Sequence, residues 1–136
     1  MHCCPSPVRI LEGAERYSAL DAYRGLYHLA ELRRRSDSVF AEVDVLLLPT
    51  AGTIYETAAV AAEPLRLNSN LGLYTSFVNL LDLAAIALPA GFGSNALPFG
   101  ISLIAPAFQD VALLDLGARF QLITGLVRNA AYAAEH

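Results

Sequence analysis

The sequence predicts an α/β fold in which the strands of a mixed sheet are covered by helices. Apolar residues recur at helical spacing towards both ends of the chain, and three short apolar runs between them are typical of strands. Turns rich in Pro, Gly and Asn separate these runs. The resulting order of helix, strand, helix, strand, strand and helix indicates a sheet with helical cover, and 136 residues suffice for one domain.

The first helix is predicted over residues 18–35. Ser18 and Asp21 form an acidic variant of the capping box that opens many helices. One face carries apolar residues at a 3-4-3 spacing, and they are Leu20, Tyr23, Tyr27 and Ala30. The arginines at 33–35 are expected to close the helix, because the partial negative charge at a helix C-terminus stabilises cations.

Three short apolar runs predict the strands, at residues 43–48, 84–88 and 100–105. The first is expected to be buried on both faces and to lead into a ligand-facing loop. A Leu-Pro-Ala-Gly turn follows the second run, and a Leu-Pro-Phe-Gly segment leads into the third. The second and third strands are therefore expected to be joined by a loop rich in Gly and Asn.

The remaining helices are predicted between and after these strands. Residues 56–62 are expected to form a helical turn before Pro64, residues 63–70 a polar loop, and residues 71–83 a helix with apolar spacing. The last helix begins at Asp110. Its apolar residues repeat at a 3-4-3-4 spacing, and they are Leu113, Leu116, Phe120, Ile123 and Val127.

The composition indicates which partners to expect. Hydrophobic residues make up 55% of the chain and charged residues only 16%, so its apolar surface exceeds what a small domain easily buries alone. A homo-oligomer would cover that surface, and so would a larger core of which this chain is one part; we favour the larger core. The net charge of −4 argues against nucleic-acid binding, which usually requires clustered Lys and Arg.

The chain is predicted to be cytoplasmic. Residues 83–109 carry no charge, but Pro and Gly interrupt them too often for a membrane-spanning helix. The first residues lack the apolar segment of a signal peptide. Cys3 and Cys4 are adjacent and cannot form an ordinary structural disulfide, which favours a reducing compartment.

The sequence offers no complete set of catalytic or metal-binding groups. All nine basic residues are arginine, so no lysine is available to activate a serine. A Ser-His-Asp triad would have to use one of three histidines, and two of those, His2 and His136, lie at the termini. Ser94 stands in a Gly-Phe-Gly-Ser-Asn segment typical of a turn. We therefore predict no catalytic residue and no metal ligand.

Three segments carry a family resemblance: DVLLLPTAGTIYETAAV, NSNLGLYTSFVNLLD and AAIALPAGFGSNALPFGISLIAP. Their order resembles the C-terminal part of amidase-signature hydrolases, and the middle segment is most similar to the allophanate hydrolases. The resemblance implies a partial amidase-signature fold, with residues 10–136 as the C-terminal segment of the domain and residues 1–9 unstructured. That family uses a Ser, cis-Ser and Lys triad with no metal or organic cofactor. This chain has no lysine and cannot supply the triad.

The resemblance implies a part in the hydrolysis of allophanate to ammonia and carbon dioxide during urea degradation. Allophanate is a carboxylated urea, so its anion must be paired with a cation or several donors. Tyr55 and Arg66 lie in segments similar to the allophanate hydrolases, and we expect them to bind the substrate. Two alternatives stay open: Arg66 forms a surface ion pair with Glu63, or Tyr55 lies at the edge of the hydrophobic core. Asn68, Asn70 and Tyr74 could line the same wall, but a capping role is expected for the two asparagines.

Other functions also fit these patterns. The chain could be a segment of an amidase with another small amide substrate. It could also be a non-catalytic truncated product that acts as an interaction module or complements a separate amidase chain. In each case the chain is expected to be inactive alone, and it is expected to bind neither nucleic acid nor a membrane.

Overall fold

The computed structural model describes residues 11–94 and 96–126, which form a small sheet with helices. The chain order of the elements is helix, strand, three short helices, two strands and a final helix. The bounds are α1 Ala19–Phe40, β1 Leu46–Pro49, α2 Thr57–Ala62, α3 Pro64–Leu71, α4 Ser76–Leu80, β2 Ala84–Phe92, β3 Pro98–Ala105 and α5 Asp110–Thr124. The predicted α/β class is confirmed.

The sheet has the strand order β1-β3-β2, and both of its strand pairs are antiparallel. No parallel pair of a mixed sheet occurs among the three strands described. The Leu-Pro-Ala-Gly segment has the sequence of a turn, but it lies within β2, where a register irregularity between Pro89 and Gly91 accommodates it. The turn predicted there is therefore wrong. The Leu-Pro-Phe-Gly segment opens β3, as predicted.

One cluster of the core lies between one face of the sheet and α5. Its buried members are Ala84, Leu88, Leu103, Ala105 and Leu113. Leu67, Val78 and Ile104 are buried outside this cluster. Gly117 allows α5 to approach β2 closely, because a Cβ atom at this position would lie 3.1 Å from both Ile86 Cδ1 and Leu88 Cδ2. The strand β1 lies at one edge of the sheet, and Leu47 is 59% exposed. The prediction that this strand is buried on both faces is therefore wrong within this chain.

The helix α1 begins as predicted and ends later than predicted. Ser18 accepts a hydrogen bond from the backbone N–H of Asp21, and the Asp21 carboxylate accepts one from the N–H of Ser18, so the capping box is confirmed. Because the helix continues to Phe40, the arginines at 33–35 lie inside it and do not close it. Arg35 instead pairs with Glu31 one turn earlier, at 2.6 Å. None of the 22 residues of α1 is buried.

The region 63–83 differs most from the prediction. Residues 63–70 are not the predicted loop, because Pro64 occupies the first turn of α3, a position where its missing N–H costs nothing. The predicted helix at 71–83 is confirmed only over α4, Ser76–Leu80, because turns at 72–75 separate α4 from α3. Leu73 is 68% exposed as a result. The helical turn predicted at 56–62 is confirmed as α2.

Several predictions fall outside the described residues. These are the unstructured segment 1–9, the pair Cys3 and Cys4, and the continuation of the last helix to Val127. Within α5, Leu113 is buried as predicted, whereas Ile123 is 86% exposed. None of the helices described has the length and apolar content needed to cross a bilayer.

Candidate substrate-binding site

Arg66 lies in the first turn of α3, directly beside the acidic residue that precedes the helix. Its Nε donates to Glu63 Oε2 at 2.6 Å, and its Nη2 donates to Glu63 Oε1 at 2.9 Å. Glu63 occupies the N-cap position but makes no side-chain capping bond there. A cation near the N-terminus of a helix is unfavourable, because that end carries a partial positive charge. The negative charge of Glu63 compensates for the position of Arg66 there. The alternative in which Arg66 pairs with Glu63 is the arrangement observed.

Tyr55 is joined to the same helix by a hydrogen bond. Asn70 Nδ2 donates to Tyr55 Oη at 3.1 Å, across a separation of 15 residues. Asn70 stands one helical turn after Arg66, so α3 holds both the cation and the partner of the phenol. Tyr55 is half-buried in the segment between β1 and α2. The structure thus connects Tyr55 and Arg66 to one short helix.

The electrostatics of this region depend on three side chains. Hydrogen bonding to Glu63 raises the pKa of Arg66, the charge of Glu63 adds to the rise, and Tyr55 contributes a smaller part. Conversely, hydrogen bonding to Arg66 and its charge lower the pKa of Glu63 below its usual value of 4.5. All three groups remain accessible to solvent or half-exposed, so a ligand can reach them.

The asparagines do not have the capping role predicted for them. Asn68 Nδ2 donates to the carbonyl of Pro64 at 2.7 Å, within α3. Asn70 contacts Tyr55 as described. Both residues lie within α3, because this helix begins at Pro64, upstream of the predicted boundary. Assigning Pro64 as the first helical residue would have placed Arg66 and Asn70 one turn apart from the sequence alone.

A second polar pair lies at the carboxyl end of β1, which leads into the Tyr55 segment. The hydroxyls of Thr50 and Ser102 are 3.0 Å apart, and Ser102 is 3% exposed. The Thr50 N–H also donates to the carbonyl of Gly100 at 3.0 Å. These bonds anchor the start of the segment to β3. Sequence reasoning missed the pair because its members are separated by 52 residues.

A cavity of about 380 Å³ lies at the other end of the sheet, where β1 begins and β3 ends. Its lining is mostly apolar, with Asp44 and Gln109 as its polar members. Val45 and Ala105 belong to this end, whereas Tyr55 follows the opposite end of β1. The cavity is thus separate from the Tyr55 and Arg66 region.

Several serine hydroxyls in the described part of the chain form local structural hydrogen bonds. The Ser18 hydroxyl donates to Asp21 Oδ2 at 2.6 Å within the exposed capping box of α1. The hydroxyls of Ser38, Ser69 and Ser76 each donate to the backbone carbonyl four residues earlier. Ser94 lies in a turn, as predicted. No group of three or more His, Cys, Asp or Glu side chains among the described residues could hold a metal ion. The described residues of this region, Arg66, Tyr55 and Asn70, thus offer hydrogen-bonding groups rather than an activated nucleophile.

The sequence matches a known protein family over most of its length. The model of the Amidase family matches residues 7–114, which is most of the sequence. The chain belongs to the Amidase family. The predicted resemblance to amidases is therefore confirmed.

Individual members of this family show which amidases are similar. The chain is 43% identical over 116 residues to urea amidolyase of Saccharomyces cerevisiae, which is 85% of this chain and 6% of that protein. It is 40% identical over 116 residues to urea amidolyase of Lachancea kluyveri, which is again 85% of this chain and 6% of that protein. The chain thus spans a small fraction of the length of the relatives it matches.

A solved structure supports the same assignment. Allophanate hydrolase of Kluyveromyces lactis superposes with a TM-score of 0.78 at 43% sequence identity. The match covers 84% of this chain and 19% of that one. The chain is homologous to part of allophanate hydrolase, as predicted, and to part of urea amidolyase.

Proposed function

We propose that this chain contributes the substrate-binding wall of an amidase that hydrolyses allophanate in urea degradation. The observation that carries the proposal is the joining of Tyr55 and Arg66 through α3, with Asn70 as the connecting residue. The identity of 43% to both urea amidolyase and allophanate hydrolase supports the choice of substrate. A cytoplasmic setting is part of the proposal.

Arg66 would bind the carboxylate of the substrate. A guanidinium presents two parallel N–H donors that match the two oxygens of a carboxylate. In the free chain Glu63 occupies these donors with its own carboxylate, at 2.6 and 2.9 Å. This contact supports a bidentate geometry for a substrate carboxylate. It also means that the substrate must displace Glu63.

Tyr55 would donate a hydrogen bond to the amide or urea part of the substrate. A phenolic oxygen can accept hydrogen bonds and has one proton to donate. Because Asn70 Nδ2 donates to Tyr55 Oη, the bond to Asn70 leaves the hydroxyl proton available. Asn70 would thus orient Tyr55 as a donor. A carbonyl oxygen of the substrate is the complementary acceptor.

The chemical step would come from groups outside these 136 residues. The chain has no lysine, and the hydroxyls of Ser38, Ser69 and Ser76 bond to backbone carbonyls. We expect the purified chain to release no ammonia from allophanate. Ammonia release above the uncatalysed rate by the pure chain would contradict this part of the proposal.

Ligand titration tests the binding role directly. Malonamate carries a carboxylate and an amide, and malonamide is its neutral counterpart. We expect the chain to bind malonamate more tightly, and the substitution Arg66→Ala to weaken malonamate binding about tenfold while leaving malonamide binding unchanged. Arg35→Ala is a matched control, because Arg35 is also an exposed arginine paired with a nearby glutamate. If Arg66→Ala bound malonamate as tightly as the unsubstituted chain does, Arg66 would not be part of the binding site.

A further inference from the structure

The segment that carries Tyr55 has no regular secondary structure of its own. Residues 51–56 lie between β1 and α2 and belong to neither a helix nor a strand. Directly before this segment, the Thr50 N–H donates to the Gly100 carbonyl at 3.0 Å, and within it Tyr55 Oη accepts from Asn70 Nδ2 at 3.1 Å. The position of the Tyr55 side chain therefore depends on contacts with neighbouring elements.

Gly52 marks a further contact, in the middle of this stretch. A Cβ atom at residue 52 would lie 3.2 Å from Tyr74 Cε2 and 4.0 Å from Tyr74 Cδ2. Carbon atoms pack best about 3.5–4.0 Å apart, so the edge of the Tyr74 ring occupies space that a side chain at residue 52 would need. Among the described glycines, only Gly91 and Gly125 have a positive φ angle. The backbone conformation at Gly52 thus admits any residue, and the close approach of the ring is what favours glycine.

Tyr74 belongs to the same hydrogen-bonded unit as Asn70. It is half-buried in the turn at 72–75, which directly follows α3. The Leu73 N–H donates to the Asn70 carbonyl at 3.3 Å, which ties this turn to the end of the helix. One unit therefore contacts the irregular segment twice, through an aromatic ring and through a side-chain amide.

We infer that Tyr74 is a positioning residue of the candidate site, and its effect on ligand binding rests on the proposed function. Its ring packs on Gly52 and thereby fixes the segment that presents Tyr55. A binding group must be held within about 0.5 Å of its productive position, so a small displacement of this segment weakens binding. The atoms in contact are ring carbons, and the hydroxyl of Tyr74 is not needed for this role.

Malonamate titration of four variants tests this role. Gly52→Ala adds an atom against the ring, and Tyr74→Leu removes the ring; each should lower malonamate affinity about threefold, the effect of weakening one hydrogen bond. The double variant should bind no more weakly than Tyr74→Leu, because the added atom no longer meets a ring. Tyr74→Phe keeps the ring and should retain full affinity.

The side-chain amide signal of Asn70 in NMR spectra gives a readout without ligand. It is assigned by its loss in Asn70→Ala, and Tyr55→Phe gives its position when the bond to the phenol is absent. In Gly52→Ala and Tyr74→Leu the signal should move towards that position, whereas in Tyr74→Phe it should stay in place. Because Gly52 is exposed, Gly52→Ala remains a test even if Tyr74→Leu unfolds the chain by circular dichroism.

Two substitutions on α1 serve as matched controls. A Cβ atom at Gly25 would meet no atom within 4 Å, so Gly25→Ala adds the same atom without a contact. Tyr27 is 75% exposed, so Tyr27→Leu removes a ring that packs little. Both controls should leave malonamate affinity and the Asn70 signal unchanged.

Three results would overturn the positioning role. The first is malonamate binding that Arg66→Ala weakens but that Gly52→Ala and Tyr74→Leu leave unchanged. The second is a loss of affinity in Tyr74→Phe as large as in Tyr74→Leu, which would make the hydroxyl a direct ligand contact. The third is an Asn70 signal that does not move in Gly52→Ala. A chain that binds no malonamate while its Asn70 signal responds as expected would refute the proposed function and support the positioning of Tyr55 by Tyr74.

Discussion

Replacement of Glu63 by glutamine tests whether this residue competes with the substrate for Arg66. The change keeps the shape of the side chain and removes its charge, so Arg66 loses its ionic partner without losing local packing. In the structure that partner holds two guanidinium donors, at 2.6 and 2.9 Å. A carboxylate ligand would no longer have to displace an anion. We therefore expect Glu63→Gln to bind malonamate more tightly than the unsubstituted chain.

The size of this effect follows from the exposure of the pair. The side chains of Arg66 and Glu63 are 62% and 55% exposed, so solvent screens their attraction. Exposed ion pairs of this kind change an equilibrium by only about two- to fivefold. Malonamate affinity should rise within that range at low salt, and the gain should shrink as salt is added. Isothermal titration at two salt concentrations measures both quantities.

The pH dependence gives an independent check with a definite sign. Because Arg66 depresses the pKa of Glu63 in the folded chain, the ion pair is fully present above about pH 4.5 and is lost as the pH falls through the depressed pKa. The affinity ratio between Glu63→Gln and the unsubstituted chain should therefore fall towards one in acid. Protonation of the ligand affects both proteins equally and cancels in this ratio.

A matched control separates competition at the site from a general charge effect. Glu31 also pairs with an arginine, Arg35, at 2.6 Å, and it lies on the exposed helix α1. Glu31→Gln changes the net charge by the same amount and should leave malonamate binding unaltered. If Glu63→Gln bound malonamate no better than Glu31→Gln, Glu63 would not compete for the ligand and Arg66 would not be its anchor.

Three further predictions concern the fold. Leu113→Ala removes a core side chain that is 2% exposed and should lower the free energy of unfolding by about 2–5 kcal/mol in urea titrations; a loss below about 1 kcal/mol would mean that the core is not packed as described. Gly117→Val should destabilise the chain by about 1–3 kcal/mol in the same assay, since its Cβ would lie 3.1 Å from β2 side chains, and an unchanged midpoint would contradict the close approach of α5. Ser18→Ala should reduce helicity in circular dichroism while Ser18→Asn retains it, because asparagine also caps helices; equal spectra would show that the capping box does not support α1.

Part of the fold could be predicted because its signals are local. The capping box at Ser18 and Asp21 and the apolar runs of the strands depend on residues close together in sequence. Predictions failed where tertiary contacts or chain context decided the outcome. The Leu-Pro-Ala-Gly segment has the composition of a turn, yet pairing with β3 keeps it in a strand. Spacing suited to burial did not bury Ile123, because burial requires a covering element.

The candidate site, like the fold, could be predicted from the sequence only in part. Tyr55 and Arg66 could be selected from the sequence through their family-like segments. The connection between them could not be predicted, because the hydrogen bond between Asn70 and Tyr55 spans 15 residues and requires a helix that begins at Pro64. From the sequence, the pairing of Arg66 with Glu63 is only one alternative. Its bidentate geometry, and therefore the competition with a carboxylate ligand, is visible only in the folded chain.

The sequence by itself determined the family of this protein and the absence of a lysine-based triad, because both can be read along the chain. It also indicated the excess of apolar residues. Only the tertiary structure decided which apolar residues cover the sheet and which, such as Val111 and Leu122 of α5, remain exposed. The reason is physical: composition sets how much apolar surface a chain has, whereas the arrangement of neighbouring elements sets how much of it is removed from water.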